Sequence, residues 1–301
     1  MGGTLSAAAE TRPPAAALGP REITGQSGSN FLAGFVCLDE ARREAMTTIY
    51  AFCRVVDDAV DDCPDRATGE AWLGFWRDEL EAAAAGRASA PVAVALQDAM
   101  QRFGVPAEPL RELVAGCATD LEPSGPADEA GLELYCYRVA SCVGLTCLPV
   151  LGADSEGGRR YAIALGHALQ LTNVLRDLRG DAEIGRCYVP QTWLQELGVD
   201  RAALLGTAPP EQYTPESGVG KLCARFARRA RERYAEAHAA LRALPRRERR
   251  CLVAARIMGA VYQDLLDRLE RRGGDLVVPR VRVPKWRKLW AAVAVWAGVR
   301  A

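Results

Sequence analysis

Apolar residues recur every three or four positions along most of the chain, and this spacing predicts α-helices. The clearest case is the segment from residue 39 to residue 62. Its apolar stripe consists of Ala45, Ile49, Phe52 and Val56. Asp39 fits a helix start and Pro64 fits a helix stop. The sequence therefore predicts a long amphipathic helix that buries one face.

The same spacing predicts helices through the rest of the chain. They cover residues 68–86, 91–103, 108–120, 129–151, 157–180, 219–243 and 247–272. No segment alternates with the period of a strand, so the fold class is all-α. Residues 181–218 contain four prolines and are expected to be irregular. Residues 1–20 are rich in Ala and Pro and are expected to be disordered. No linker divides residues 21–301, which we expect to form a single domain.

Composition is that of a globular protein, with 49% hydrophobic and 25% charged residues, which excludes fibrous and disordered classes. Two histidines argue against a multi-histidine metal site. The ten cysteines form no CxxC pair. Residues 1–20 lack the charged start and apolar core of a secretory signal. We therefore expect reduced thiols in a cytosolic protein.

The zero net charge conceals an asymmetry. Residues 221–301 carry 21 basic and 7 acidic side chains, and the first 220 residues have the opposite excess. A basic segment suits an anionic ligand or a membrane surface, although solvated helix faces give the same pattern. Without interleaved aromatics, the basic helices do not indicate nucleic acid. The apolar stretch Leu289–Val299 fits either an interfacial helix in peripheral membrane contact or a terminal helix docked on the core.

An acidic cluster, DDAVDD, ends the first long helix at residues 57–62. Asp57 and Asp61 are one turn apart on one face, where like charges repel. The helix dipole adds a second local cost. A cation would offset both, and hard oxygen ligands without His or Cys suit Mg²⁺. The alternative is a solvated acidic helix end.

A second polar stripe follows in NVLRDLRGD at residues 173–181. Asn173, Asp177 and Asp181 share one helix face, with Gln170 near it. The other faces are apolar, so we expect the stripe to face the interior or a cavity, where carboxylates need partners. Two such stripes facing each other across a bundle would hold several Mg²⁺ ions and thereby a diphosphate.

These two motifs resemble the paired Asp-rich motifs of the squalene/phytoene synthase family. The segments TIYAFCRVVDD at 48–58, YCYRVASCVG at 135–144 and GRCYVP at 185–190 are also similar. The similarity continues through ARIMGAVYQDLLDRLE at 255–270 and RVRVPKWRKLW at 280–290, and covers roughly residues 21–290. Within the family, YCYRVA and the tail are most similar to the bacterial members that make presqualene diphosphate.

The resemblance implies the isoprenoid synthase fold, a helical bundle around a central cavity. It implies a prenyltransferase that condenses two farnesyl diphosphates head to head, with Mg²⁺ assisting ionisation. An allylic carbocation is attacked by the C2–C3 double bond of the second substrate, and loss of a proton closes the cyclopropane of presqualene diphosphate. Two to three Mg²⁺ ions are expected and NADPH is not. Enzymes of the squalene pathway would act downstream.

Site residues follow from the motif positions. The implied metal ligands are Asp57, Asp61, Asn173, Asp177 and Asp181. Asp58 and Asp62 are less directly implied and would lie behind the ligands. The implied catalytic residues are Tyr50, Arg54, Tyr135, Arg176, Tyr188 and Tyr262, the arginines binding diphosphate. The implied substrate-binding residues are Ser27, Ser29, Phe31, Ala140, Gly144, Gln170, Arg280 and Lys288. For each tyrosine the alternative is a core aromatic with a satisfied hydroxyl.

Other readings of the sequence stay open. Phytoene and dehydrosqualene synthases share both motifs, and a complete squalene synthase would also need NADPH. A non-catalytic helical assembly protein would have lost ligands that are present here. A di-iron bundle needs Glu-x-x-His, but Ala164 and Ala235 precede the two histidines by three residues. Ser141 departs from the family's VAG motif, which has Gly there.

Overall fold

The structure is a computed structural model that describes residues 12–26, 38–122, 124–277 and 280–296. Helices and turns make up the regular structure of these ranges, which contain no strand. The all-α prediction is therefore confirmed. The chain separates into two compact units: residues 1–122 with 142–154, and residues 123–141 with 155–301. The expectation of a single domain over residues 21–301 stays a prediction.

The described part of the first unit contains six α-helices. They are α1 (Pro20–Gln26), α2 (Glu40–Asp61), α3 (Arg66–Ala84), α4 (Pro91–Phe103), α5 (Glu108–Ala118) and α7 (Cys142–Leu151). Helix α2 is central, because it packs against all the others. Its N-terminus is capped by Asp39, whose carboxylate accepts a hydrogen bond from the Arg42 amide. The predicted apolar stripe of α2 is buried, so the hydrophobic effect fixes which face the acidic cluster presents.

Among the residues of the second unit that the structure describes there are eight α-helices. They are α6 (Glu129–Cys136), α8 (Glu156–Glu183), α9 (Gln191–Leu197), α10 (Arg201–Leu204), α11 (Gly218–Ala243), α12 (Arg246–Cys251), α13 (Val253–Arg272) and α14 (Lys285–Trp296). Helix α8 is central to this unit. It packs along α11 and also contacts α6, α10 and α13. Each acidic motif therefore lies on the central helix of its own unit.

The predicted helix at 129–151 is interrupted by one π-helical turn, Tyr137–Ser141. Such turns widen the helix by one residue and are frequent at functional sites. The run Glu129–Leu151 is the one described helix long and apolar enough to cross a membrane by length and composition. About half of it is buried, as in a soluble core helix that passes the same test, so it is weak evidence for a span.

Several boundaries differ from the sequence prediction. Residues 181–218, expected to be irregular, contain the end of α8, the helices α9 and α10, a 3-10 turn at Pro210–Tyr213 and the first residue of α11. The helix predicted at 247–272 is broken at the buried Leu252 into α12 and α13. In the segment expected to be disordered, Pro14–Ala17 forms a 3-10 turn in which Ala16 is buried. All described cysteines have free thiols, as expected.

Candidate active site

Helix α2 presents a polar stripe opposite its apolar face. Tyr50, Arg54, Asp57 and Asp61 are separated by three or four residues, so they lie along one side of the helix. Tyr50 and Asp57 are partly buried, while Asp61 is exposed at the C-terminal end. The catalytic and metal-ligating residues predicted from the first motif thus share one face.

The carboxylates of the first motif interact strongly with their surroundings. Burial and the neighbouring Asp61 carboxylate together raise the pKa of Asp57 to about 7, against the effect of Arg54. Desolvation also raises the pKa of Asp58, against the effect of Arg54. One guanidinium nitrogen of Arg54 lies 3.7 Å from Asp57 Oδ2, and another pairs with Asp58. The stripe therefore combines crowded negative charge with one cation, which suits a site for a further positive ion.

Asp120 is a nearby carboxylate that the sequence analysis missed. It lies on the 3-10 turn Thr119–Leu121 after α5, and its charge contributes to the raised pKa of Asp57. Burial raises the pKa of the Cys117 thiol, with Asp57 and Asp120 adding to the effect. An isolated Asp in the segment CATDLE gives no spacing signal, because its relation to α2 arises only from packing.

Helix α8 carries the second motif. Asn173 donates from Nδ2 to Gln170 Oε1 at 3.3 Å, and its Oδ1 is buried without a hydrogen-bond partner. A buried amide oxygen without a partner costs free energy, about 1–3 kcal/mol, that a ligand can recover. Asp181 lies two turns beyond Asn173 on the same face and is partly buried. Asn173, Asp177 and Asp181 thus lie along one side of α8, and their role as metal ligands stays a prediction.

Asp177 is held between two arginines. Arg176 donates to both carboxylate oxygens, at 2.5 to 3.0 Å. Arg280 forms a second bidentate pair, with Nε 2.6 Å from Oδ1 and Nη2 2.7 Å from Oδ2. Although burial opposes it, these hydrogen bonds lower the pKa of Asp177. Arg176 also donates to the hydroxyl of Tyr262. Hydrogen bonds therefore connect four predicted site residues: Arg176, Asp177, Tyr262 and Arg280.

Tyr135 and Tyr188 form a stacked pair, with ring centroids 4.8 Å apart and planes 21° from parallel. The loop that carries Tyr188 is fixed by a close backbone approach. A Cβ on Gly125 would lie 2.1 Å from the Cys187 carbonyl oxygen. The Gln191 amide also donates to the Pro126 carbonyl at 2.9 Å. Two predicted catalytic tyrosines from distant segments thus form one aromatic surface.

Ser141, the departure from the family's VAG motif, joins a buried polar cluster. Its hydroxyl donates to the Ile163 carbonyl at 2.8 Å and lies 2.8 Å from His167 Nδ1. His167 Nε2 is 3.2 Å from Glu133, whose carboxylate also pairs with Arg229 and Arg233. His167 is thus a packed residue of α8 that belongs to this cluster. The sequence gives no sign of the cluster, because its members come from the π turn and three helices.

The remaining predicted residues are placed as follows. Ser27, Ser29 and Phe31 lie outside the described residues. Ala140 is on the π turn and Gly144 is on α7, both partly buried. Lys288 is half-buried on α14. The roles assigned to these residues stay predictions.

The donors of both motifs fit Mg²⁺ chemically. Carboxylate oxygens of Asp57 and Asp61, with the unpartnered Asn173 Oδ1, are the hard ligands that this ion prefers. Within the described residues, no three Cys, His, Asp or Glu side chains are already arranged around one point. Magnesium usually keeps several waters and binds through one or two carboxylates plus phosphate oxygens, so a preformed cage is not required.

Comparison with known proteins identifies relatives across nearly the whole chain. The squalene/phytoene synthase profile matches residues 24–287. The presqualene diphosphate synthase of Zymomonas mobilis is 37% identical over 89% of this chain and 89% of its own length. That of Rhodopseudomonas palustris is 37% identical over 85% and 88%. The 15-cis-phytoene synthase of Synechococcus elongatus is 33% identical over 89% and 88%.

Solved structures show the same fold. A squalene synthase from Alicyclobacillus acidocaldarius has a TM-score of 0.72 at 27% identity, covering 84% of this chain and 92% of that one. A dehydrosqualene synthase in complex with a ligand has a TM-score of 0.78 at 24% identity, covering 93% and 95%. With its all-α isoprenoid synthase fold and both acidic motifs, the chain belongs to the squalene/phytoene synthase family.

Proposed function

We propose that the protein is a magnesium-dependent prenyltransferase that joins two farnesyl diphosphates head to head, giving presqualene diphosphate and releasing diphosphate. The observation that carries this proposal is the 37% identity to presqualene diphosphate synthases over 89% of the chain. All five implied metal ligands lie within residues 24–287, the range that the family profile matches. A non-catalytic descendant would have no need to keep them.

The first step assigned to these residues is departure of diphosphate from one substrate. Asp57 and Asp61 would hold Mg²⁺ from α2, and Asn173, Asp177 and Asp181 would hold it from α8. The bound ions supply positive charge to the leaving diphosphate oxygens. Arg54 and Arg176 lie within a turn of these ligands, and their guanidinium groups suit the same oxygens. The joint action of the two motifs stays a prediction.

Asp177 cannot ligate an ion while both of its oxygens accept hydrogen bonds from Arg176 and Arg280. We assign Arg280 the role of exchanging partners. Before substrate binds, Arg280 neutralises the Asp177 carboxylate. When substrate binds, Arg280 leaves Asp177 and pairs with the diphosphate that arrives with the cation. Its guanidinium is about half-exposed, so it can move without unpacking the core.

The carbocation needs a stabilising surface that does not react with it. The stacked rings of Tyr135 and Tyr188 offer aromatic faces, which attract cations. The C2–C3 double bond of the second farnesyl diphosphate attacks C1 of the cation, and loss of a proton closes the cyclopropane. One diphosphate leaves and the other is kept in the product. Tyr50 and Tyr262 are the further tyrosines assigned to this step.

The remaining features of the proposal follow from this reaction. Because it stops at the cyclopropane, it consumes no NADPH. The product needs a further enzyme for reductive rearrangement. We assign the protein to the cytosol, in peripheral contact with a membrane that receives the lipid product.

A comparison of substrate chain lengths tests the proposal, because phytoene synthases at 33% identity make the longer substrate the specific rival. The purified chain is incubated with Mg²⁺ and either farnesyl or geranylgeranyl diphosphate. Product formation from farnesyl diphosphate with the higher kcat/KM supports the proposal. Phytoene formation from geranylgeranyl diphosphate alone would assign the protein to carotenoid synthesis.

A further inference from the structure

Helix α14 is attached to the second unit through one face. Ala291 and Val295 are buried in a cluster with Ala260 of α13. Arg287, on the first turn of α14, donates to Asp264 Oδ1 of α13 at 2.5 Å. The apolar cluster and the ion pair fix the rotation of α14 about its own axis. The opposite face must therefore point away from α13.

That opposite face is apolar and exposed. Trp286 is 65% exposed, Leu289 68%, Trp290 59% and Val293 49%. Their spacing of three, four and seven residues places them within about 100° of the helix circumference. They are four of the eight large hydrophobic side chains that are exposed in the described part of the chain. The face is thus a continuous stripe, whereas scattered exposed apolar residues are ordinary.

The segment that carries this stripe has charges of one sign. Residues 276–301 contain six basic and no acidic side chains. Lys285, the first residue of α14, and Arg282, three residues before it, are both exposed. If a second copy of the chain docked on the stripe, the cations of the two copies would lie close together and repel each other. An anionic surface is complementary to them.

We propose that the α14 stripe, defined as Trp286, Leu289, Trp290 and Val293, binds the surface of an anionic phospholipid bilayer. The helix lies in the interfacial plane. The indole rings suit the headgroup boundary, because they join an apolar body to one polar N–H. Lys285 and Arg282 pair with the lipid phosphates. The proposal deepens the membrane contact proposed above, and binding to the bilayer is measured without the condensation reaction.

Vesicle co-sedimentation of the full chain tests this inference. The vesicles are phosphatidylcholine, with and without about a third of phosphatidylglycerol. We expect binding to the anionic vesicles. Val293→Ser should weaken it about fivefold, from the lost burial of one apolar side chain. The matched control is Val94→Ser on α4, a valine of almost equal exposure at 46%, which should leave binding unchanged.

A second pair of variants separates charge from apolar contact. Arg282→Gln should weaken binding about fivefold, whereas Arg87→Gln, an exposed arginine of the first unit, should have no effect. The double variant Trp286→Ser/Trp290→Ser should lose about thirtyfold or more. Circular dichroism confirms that it is folded.

Three outcomes would overturn the proposal. The first is equal sedimentation with both vesicle types or with neither. The second is an equal effect of Val293→Ser and Val94→Ser. The third is a wild-type dimer in analytical ultracentrifugation that becomes monomeric in Trp286→Ser/Trp290→Ser, which would assign the stripe to a second copy. None of these results bears on the condensation reaction, which is measured separately.

Discussion

Two glycines of α8 provide a matched test of how closely this helix approaches the π turn. A Cβ on Gly166 would lie 2.5 Å from Ser141 Cα and 2.6 Å from its backbone nitrogen. A Cβ on Gly180, in the same helix, would meet nothing within 4 Å. Replacing each by alanine makes the same chemical change in opposite surroundings.

The expected magnitudes follow from these distances. In a helix interior, alanine is favoured over glycine by about 1 kcal/mol, so Gly180→Ala should stabilise by about 0.5–1 kcal/mol. Gly166→Ala has the same gain, but its Cβ overlaps backbone atoms that no rotamer change can move aside. Overpacking typically costs about 1–3 kcal/mol, and we expect the cost of an overlap with backbone atoms to lie at or above the upper end of this range. We expect a net loss of about 2 kcal/mol.

Urea unfolding followed by circular dichroism measures both variants. Because the overlap is with the backbone, adding Ser141→Gly should not rescue Gly166→Ala. If Gly166→Ala were as stable as Gly180→Ala, the close approach of α8 to the π turn would be wrong. Full rescue by Ser141→Gly would instead assign the overlap to the serine hydroxyl.

Three further predictions concern individual side chains. Asp57→Asn should reduce kcat by about a hundredfold or more in steady-state assays, whereas Asp62→Asn, at the exposed end of α2, should change it little. In EDTA, the raised pKa of Asp57 means that the folded state binds the extra proton between about pH 4 and pH 7. The contribution of Asp57 to the free energy of unfolding should therefore decrease as pH rises across that range. In thermal melts, the melting temperature of Asp57→Asn should decrease less over the same range than that of the wild type. Glu133→Gln should lose about 2 kcal/mol in urea unfolding, since it weakens the contacts to two arginines and His167. Glu236→Gln, an exposed partner of one of those arginines, should lose less than about 0.5 kcal/mol.

The parts of the fold with long periodic patterns could be predicted from sequence. Helix α2 is the best example, because its cap, apolar stripe and stop signal all agree. Helices α9 and α10 were not predicted, because seven and four residues are too few to show a period. Pro190 indicates a helix break in the sequence, but in the structure it stands at the N-cap of α9, where proline is tolerated.

The candidate site likewise has residues that helical spacing predicts and contacts that depend on tertiary packing. Helical spacing alone places Asn173, Asp177 and Asp181 on one stripe. No local pattern indicates that Asp177 pairs with Arg280, which is 103 residues away. Asp120 and the Ser141 cluster were missed for the same reason, since both depend on tertiary packing. The π turn leaves no periodic signal, because it inserts one residue into an otherwise regular helix.

The stoichiometry of diphosphate release tests the proposed head-to-head condensation most directly. The purified chain is incubated with farnesyl diphosphate and Mg²⁺ in the absence of NADPH, with diphosphate quantified and the lipid product identified by mass spectrometry. We expect one diphosphate to be released for every two farnesyl diphosphates consumed, and presqualene diphosphate to be the product. Release of both diphosphates, or no consumption of farnesyl diphosphate, would contradict it.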